Sequence, residues 1–333
     1  MLSLAWFASL PHTVSEMASG KSFSPPRESG HREVAPSHRH HLVSRGYLRF
    51  FAKGEQLLLI DLKARTCRPV GTRDAFVKAN FNSWLSDEGW NDEVERVWHG
   101  VETDAIPAVA KLLDGETDEV HRMAAKELAA LHLARSYSYD IVHKRILEQV
   151  IAAEMELAER DPYYAKLYAR DAGHASVPGE LADRVQLVGE ALKSQRRFFL
   201  ERMLYLFQRT REFLAPLQVQ LVYAPQAMSF LTGDTPVITS DKRGFRLGFR
   251  QGLALGDTAG VFMPLGRRVG MDLYTHDAPA DRELAPSEVQ QLNLFVARAA
   301  LGFLACHPDD QPEALLADRS FRSTEAPIRR PTV

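Results

Sequence analysis

From Asn91 to about Leu214 the apolar residues recur at helical spacing, and on either side they recur at strand spacing. Two changes of period along one chain restrict the possible folds more than any single motif does. Val94, Trp98, Val101, Ala105, Val109 and Leu112 fall on one stripe, which predicts a helix with Asn91 or Asp92 as N-cap, kinked or restarted at Pro107. After the polar DGETDE comes a second helix with Ala124, Leu128 and Leu131 inward. A third occupies about Tyr139 to Arg170, broken at Asp161-Pro162, and GHASVPGE follows as a loop. A long helix then runs from about Glu180 to Leu214, with Phe199, Met203, Leu206 and Phe207 facing inward.

Upstream, YLRFFA and QLLLIDL flank KGE and predict a β-hairpin, with CRPVG as a short third strand. Alternation would put Tyr47, Arg49 and Phe51 on one face of the first strand. Downstream, VQLVYAP, MSFLT, PVITS, GVFMPL and RVGMDLY are short, β-branched or aromatic, and punctuated by Gly, Pro and Asp. A last helix from about Ser287 to Cys306 carries Leu292, Phe295, Val296, Ala299 and Phe303 on its apolar face. The order predicts an α+β fold: an N-terminal β-hairpin and C-terminal strands in a mixed sheet, with a central block of long helices. The helical block, about 91–214, is inserted between strand segments of one composite domain spanning 38–308. Residues 1–37, rich in Ser, Pro, His and Gly, read as a disordered leader in which Met17 is an alternative start, and 309–333 as a disordered tail.

Length and charge narrow the class. A chain of 333 residues with 45% apolar and 25% charged residues has the make-up of a soluble globular protein with a substantial core. Its formal net charge of -2 exerts no overall pull on nucleic acid or anionic membrane, so a nucleic-acid partner would need a local basic patch. SQRRFFLERMLYLFQRTR, with five arginines around an apolar face, is such a segment, though a solvated helix face explains it equally. No apolar run approaches the roughly 18 residues of a membrane-spanning helix. Cys67 and Cys306, the only cysteines, sit far apart and are too few for a cysteine-rich zinc site, and they point to reduced thiols in a cytoplasm.

Side-chain chemistry is densest at HRHHLVSRGYLRFFA, His38 to Ala52. Neutral imidazoles ligate divalent metals, so His40 and His41 are candidate ligands, with Tyr47 and Arg49 as candidate binding residues beside them. The two imidazoles could supply one or two ligands, but adjacent residues of an extended segment point to opposite faces, so both rarely reach one ion. Glu102 lies on the apolar stripe of its helix, where a carboxylate must be paired, hydrogen-bonded or protonated. His132 and Arg135 extend the inner face of the next helix. Together they would make either a polar site, with Glu102 as general base or metal ligand and Arg135 as anion clamp, or an internal ion-pair network. Asp234 in LTGDTPVITSD sits at a strand–turn–strand boundary, where it would bind metal or cap its own turn, with Gly233 allowing an unusual backbone there. No P-loop, Gly-X-Gly-X-X-Gly, Gly-X-Ser-X-Gly or His-Glu-X-X-His is present.

HHLVSRGYLRFFA, QLLLIDLKART, VKANFNSW, LHLARS, SFLTGDTPVI, VFMPLG and QLNLFVARAALGF, in that order, resemble the motifs of a bacterial family known as domain of unknown function 4238. Glu102 stands where that family's helical Glu falls. The chain departs from the pattern with Ser44 for a Pro, Gly46 for an aromatic, Gly233 for a Ser, and Ser136 without the Pro that often follows. The resemblance covers roughly 38–308 and implies kinship with a family to which no firm activity attaches. Two functions fit these residues. One is an accessory or defence-type hydrolase of phosphoester bonds, possible on nucleic acid, using Glu102, His132, Arg135 and Asp234, with a divalent metal on His41, Glu102 and Asp234. The other is a non-catalytic binding or toxin-like module in which the same residues brace the fold.

Overall fold

The computed structural model describes residues 39–86, 89–160, 163, 166, 178–241, 246–247, 255–275 and 279–310. The expected leader, His38, the Asp161-Pro162 break and the tail beyond Asp310 lie outside them. The chain forms two compact units, the smaller holding Lys144–Gln195 and the larger His38–His143 with the chain from Arg196 onward.

In the larger unit the first strand is short. β1 (Arg39–His41) pairs antiparallel with β4 (Val77–Ala79), so that His40 stands opposite Lys78. The next segment corrects the sequence expectation: Tyr47 to Phe51 form not a strand but one turn of helix, α1 (Arg45–Leu48), continued by a 3-10 turn at Arg49–Phe51. Tyr47, Leu48 and Phe51 are buried together, a combination that spacing of three and four permits and strict alternation does not. The hairpin lies one segment later, between β2 (Gln56–Asp61) and β3 (Thr66–Gly71).

That hairpin joins strands from the far end of the chain in a four-stranded antiparallel sheet, ordered β3, β2, β14 (Phe303–Cys306), β8 (Thr232–Gly233). The remaining downstream strands form a separate six-stranded mixed sheet: β10 (Arg246–Leu247), β9 (Ile238–Ser240), β11 (Gly260–Pro264), β12 (Val269–Tyr274), β7 (Gln218–Tyr223) and β13 (Arg282–Glu283). Only β13 runs parallel to its neighbour, β7. A two-stranded ribbon, β5 (Trp84–Ser86) with β6 (Gly89–Asn91), precedes the helices. The fold is α+β.

α2 (Glu93–Leu113) opens where Asn91 Oδ1 accepts the Glu93 N–H at 2.9 Å, and it buries Val94, Trp98, Ala105, Val109 and Leu112. It runs through Pro107 as one helix and stops at Gly115, whose φ of +92° suits a residue without Cβ. α3 (Glu119–Ala134) packs along α2 and along α6 (Arg196–Leu214). α4 (Tyr137–Arg160) opens in the larger unit and continues into the smaller, which also holds α5 (Pro178–Ser194). The single long helix expected from Glu180 is thus two helices, parted at Gln195. α7 (Pro286–Ala299) ends earlier than its apolar pattern predicts, because Phe303 to Cys306 are taken into the sheet as β14. Phe303 is accordingly exposed.

Candidate functional site

The end of α3 and the middle of α2 bring Arg135 and Glu102 together. Nη2 of Arg135 donates to Glu102 Oε1 at 2.6 Å. The Arg135 side chain is 2% exposed and that of Glu102 25%, so a buried cation is held by a carboxylate that reaches solvent. A guanidinium so buried demands such a partner, and its Nε is shielded with no hydrogen-bond partner.

His41, the last residue of β1, lies close enough to feel both charges. Burial holds its pKa below the usual imidazole range; the carbonyls of Thr72 and Arg73 and the Glu102 carboxylate pull it up, and Arg135 pushes it further down. The ring is therefore neutral near pH 7. Its Nε2 is shielded from solvent and has no hydrogen-bond partner. His41, Glu102 and Arg135 thus set an imidazole beside a carboxylate and a buried guanidinium.

The other expected site residues have structural partners. His132 Nε2 accepts the Ser44 N–H at 3.3 Å, and its ring stands edge-on to Tyr47 with centroids 4.8 Å apart. Burial, with the Arg135 charge second, drives the His132 pKa well below its ordinary value, so that this imidazole is neutral. Tyr47 donates its hydroxyl to the Pro264 carbonyl at 2.6 Å and meets Thr232 Oγ1 at 2.9 Å, tying α1 to both larger sheets. Burial pushes the Tyr47 phenol pKa up, so it stays protonated. His40 Nδ1 accepts the Asn82 N–H at 2.9 Å. Arg49 stands apart on the surface, its Nε on Glu55 Oε1 at 2.7 Å.

Asp234 caps a turn that is remote in sequence. Its Oδ1 accepts the Leu301 N–H at 2.7 Å, and its Oδ2 those of Gly302 and Phe303 at 2.8 and 3.0 Å. The carboxylate thus fastens β8 to the turn between α7 and β14. The neighbouring Gly233 serves close approach rather than an unusual φ: a Cβ there would sit 3.0 Å from the Phe303 carbonyl oxygen. Among the described residues no three His, Cys, Asp or Glu side chains converge as metal ligands. His41, Glu102 and Asp234 are accordingly not a shared metal site there.

Sequence reasoning missed the partners contributed by the backbone (the Ser44 amide and the Pro264 carbonyl), which leave no trace in residue type. It also missed Lys126, which is buried on the inner face of α3. A signal for it existed, since Ala129, Ala130 and Leu133 follow it at three, four and seven residues.

A family model described as "Protein of unknown function (DUF4238)" matches residues 39–310, a span containing every side chain of this site. This chain belongs to that family. The DUF4238 span opens at the first residue of β1 and closes at Asp310, whose Oδ1 accepts Arg267 Nη2 at 2.6 Å and Ser229 Oγ at 3.0 Å, fixing the end of the family region to the six-stranded side. No curated protein and no solved structure matches the chain. Among the described residues of this DUF4238 member no helix is long and apolar enough to cross a membrane.

Proposed function

We propose that this DUF4238 protein hydrolyses a phosphoester at the cluster of His41, Glu102 and Arg135. The observation that carries the proposal is the unpartnered Nε2 of a neutral His41 beside the fixed charge of Arg135. In this reading substrate binding admits one water to the shielded Nε2, which takes its proton as the oxygen attacks phosphorus, and the imidazolium returns that proton to the departing alkoxide. Water and diester become alcohol and monoester, with no change of oxidation state. Arg135 stabilises the negative charge gathering on the phosphoryl oxygens, and Glu102 is the positioning residue that holds the guanidinium in place. A nucleic-acid substrate fits the same chemistry. No step is assigned to a metal.

The test uses the full chain with bis(p-nitrophenyl) phosphate and single-stranded oligonucleotides, with and without chelator. His41→Gln should lower kcat/KM about 100-fold or more, the range of one general base, and should abolish the acidic limb of the pH profile. Hydrolysis by His41→Gln at the wild-type rate would sink the proposal.

The second reading, a non-catalytic or toxin-like binding module, draws support from the structural partners that Tyr47, His40, His132 and Asp234 already have. It predicts no turnover by the wild type and binding of an anionic partner that Arg135→Leu removes.

A further inference from the structure

A second site stands in the larger unit and shares no residue with the His41 cluster. One face of α3, the α6–β7 turn and Pro279–Asp281 line an open cavity of about 560 Å³, within the size range of small-molecule pockets. Two cations line it, and they differ in kind. Arg122 is already matched: its Nη1 and Nη2 meet the two carboxylate oxygens of Asp281 at 3.1 and 2.6 Å. Lys126 is not. The residue is 5% exposed, and its Nζ makes a single hydrogen bond, to the Ala215 carbonyl at 3.0 Å. An ammonium carries three donors, so two remain for the cavity. The acid acting on it through space is Glu119, which is exposed at the start of α3. Met123, Pro216 and Leu217 supply apolar wall around these groups.

We propose that this cavity binds a small organic monoanion, a carboxylate with an apolar body, whose head sits on the Lys126 ammonium. A cation that is buried and incompletely hydrogen-bonded gains most from a charged acceptor, and charge-assisted bonds of that kind are about twice as strong as neutral ones. A second negative charge on the ligand would meet Glu119 and Asp281, so dianions are disfavoured. The bland alternative is that Lys126 only caps the C-terminal carbonyls of α6.

Calorimetric titration of the full chain with hexanoate and benzoate, with hexylamine and inorganic phosphate as controls, separates the two. Saturable binding of the carboxylates is expected, weakened about tenfold or more in Lys126→Met, the loss of one charge-assisted contact. The wild type gives an independent readout: with carbon-labelled lysine, one resonance, that of Lys126, should move saturably during the titration. Absence of carboxylate binding to the wild type, equal affinity in Lys126→Met, or movement of other lysine signals in its place would each overturn the proposal. So would phosphate binding as tightly as hexanoate.

Discussion

At the scale of the residue, the polar side chains of this protein divide by what they face. Asp234 faces three backbone N–H groups and Tyr47 a carbonyl, so their roles are fixed by main chain that lies far away in sequence. His132 accepts the amide of Ser44, and there the departure from the family pattern has a physical consequence, because a Pro would have no N–H to give. Burial keeps His132 neutral, with a pKa well below its ordinary 6.5. As pH falls the unfolded chain therefore takes up this proton before the folded one does. The contribution of His132 to stability is complete above about pH 6.5 and is lost progressively below it, and His41 acts in the same direction. His132→Gln, which keeps an acceptor for Ser44, should flatten the fall in stability between pH 6.5 and 5 by up to about 1.4 kcal/mol per pH unit. Urea unfolding at stepped pH measures it, and an unchanged slope would assign the proton uptake to other groups.

At the scale of the element, α2 shows packing overriding a local preference. Pro107 sits exposed inside its 21 residues, where it offers no N–H to the carbonyl one turn back, yet the helix continues. The apolar stripe on both sides of Pro107 is buried along α3, and that burial outweighs the lost bond. Pro107→Ala should then raise stability by about 1–3 kcal/mol, since it restores the bond without disturbing the buried face. A denaturation midpoint no higher than the wild type would mean that the helix is already relaxed around the proline. Gly46 has a comparable element-level role: a Cβ there would come within 3.0 Å of the Ile106 side chain, so with a larger residue α1 keeps its approach to α2 only if Ile106 shifts. The basic face of α6 is largely neutralised by its own surroundings, with Arg197, Arg209 and Arg211 on Glu201, Glu212 and Glu127.

At the scale of the whole molecule, the chain leaves the larger unit after His143 and returns at Arg196. The exit and return points are close, because the His143 ring lies 5.7 Å from that of Phe198 and 5.4 Å from that of Phe199. Replacing Lys144–Gln195 by a Gly/Ser linker of about eight residues, long enough to span such a gap, should leave a cooperatively folding larger unit. A broad, non-cooperative urea transition in that variant would show that the excursion is needed for the fold. The alternating strand and helix periods were legible in the sequence because they depend only on which neighbours along the chain are apolar, and they determined the α+β class, the burial of His132 and Arg135 and the partial burial of Glu102. Local pattern misjudged Tyr47 to Phe51, since a segment of that length suits either period until its partners are known. It also left Asp234 among the metal candidates, for an acidic residue beside a strand has the same spelling whether it meets an ion or three amides. Only the tertiary structure decided that Asp234 fastens a remote turn and that His41 joins Glu102 and Arg135, because hydrogen bonds and charges act across space between segments that sequence order keeps apart.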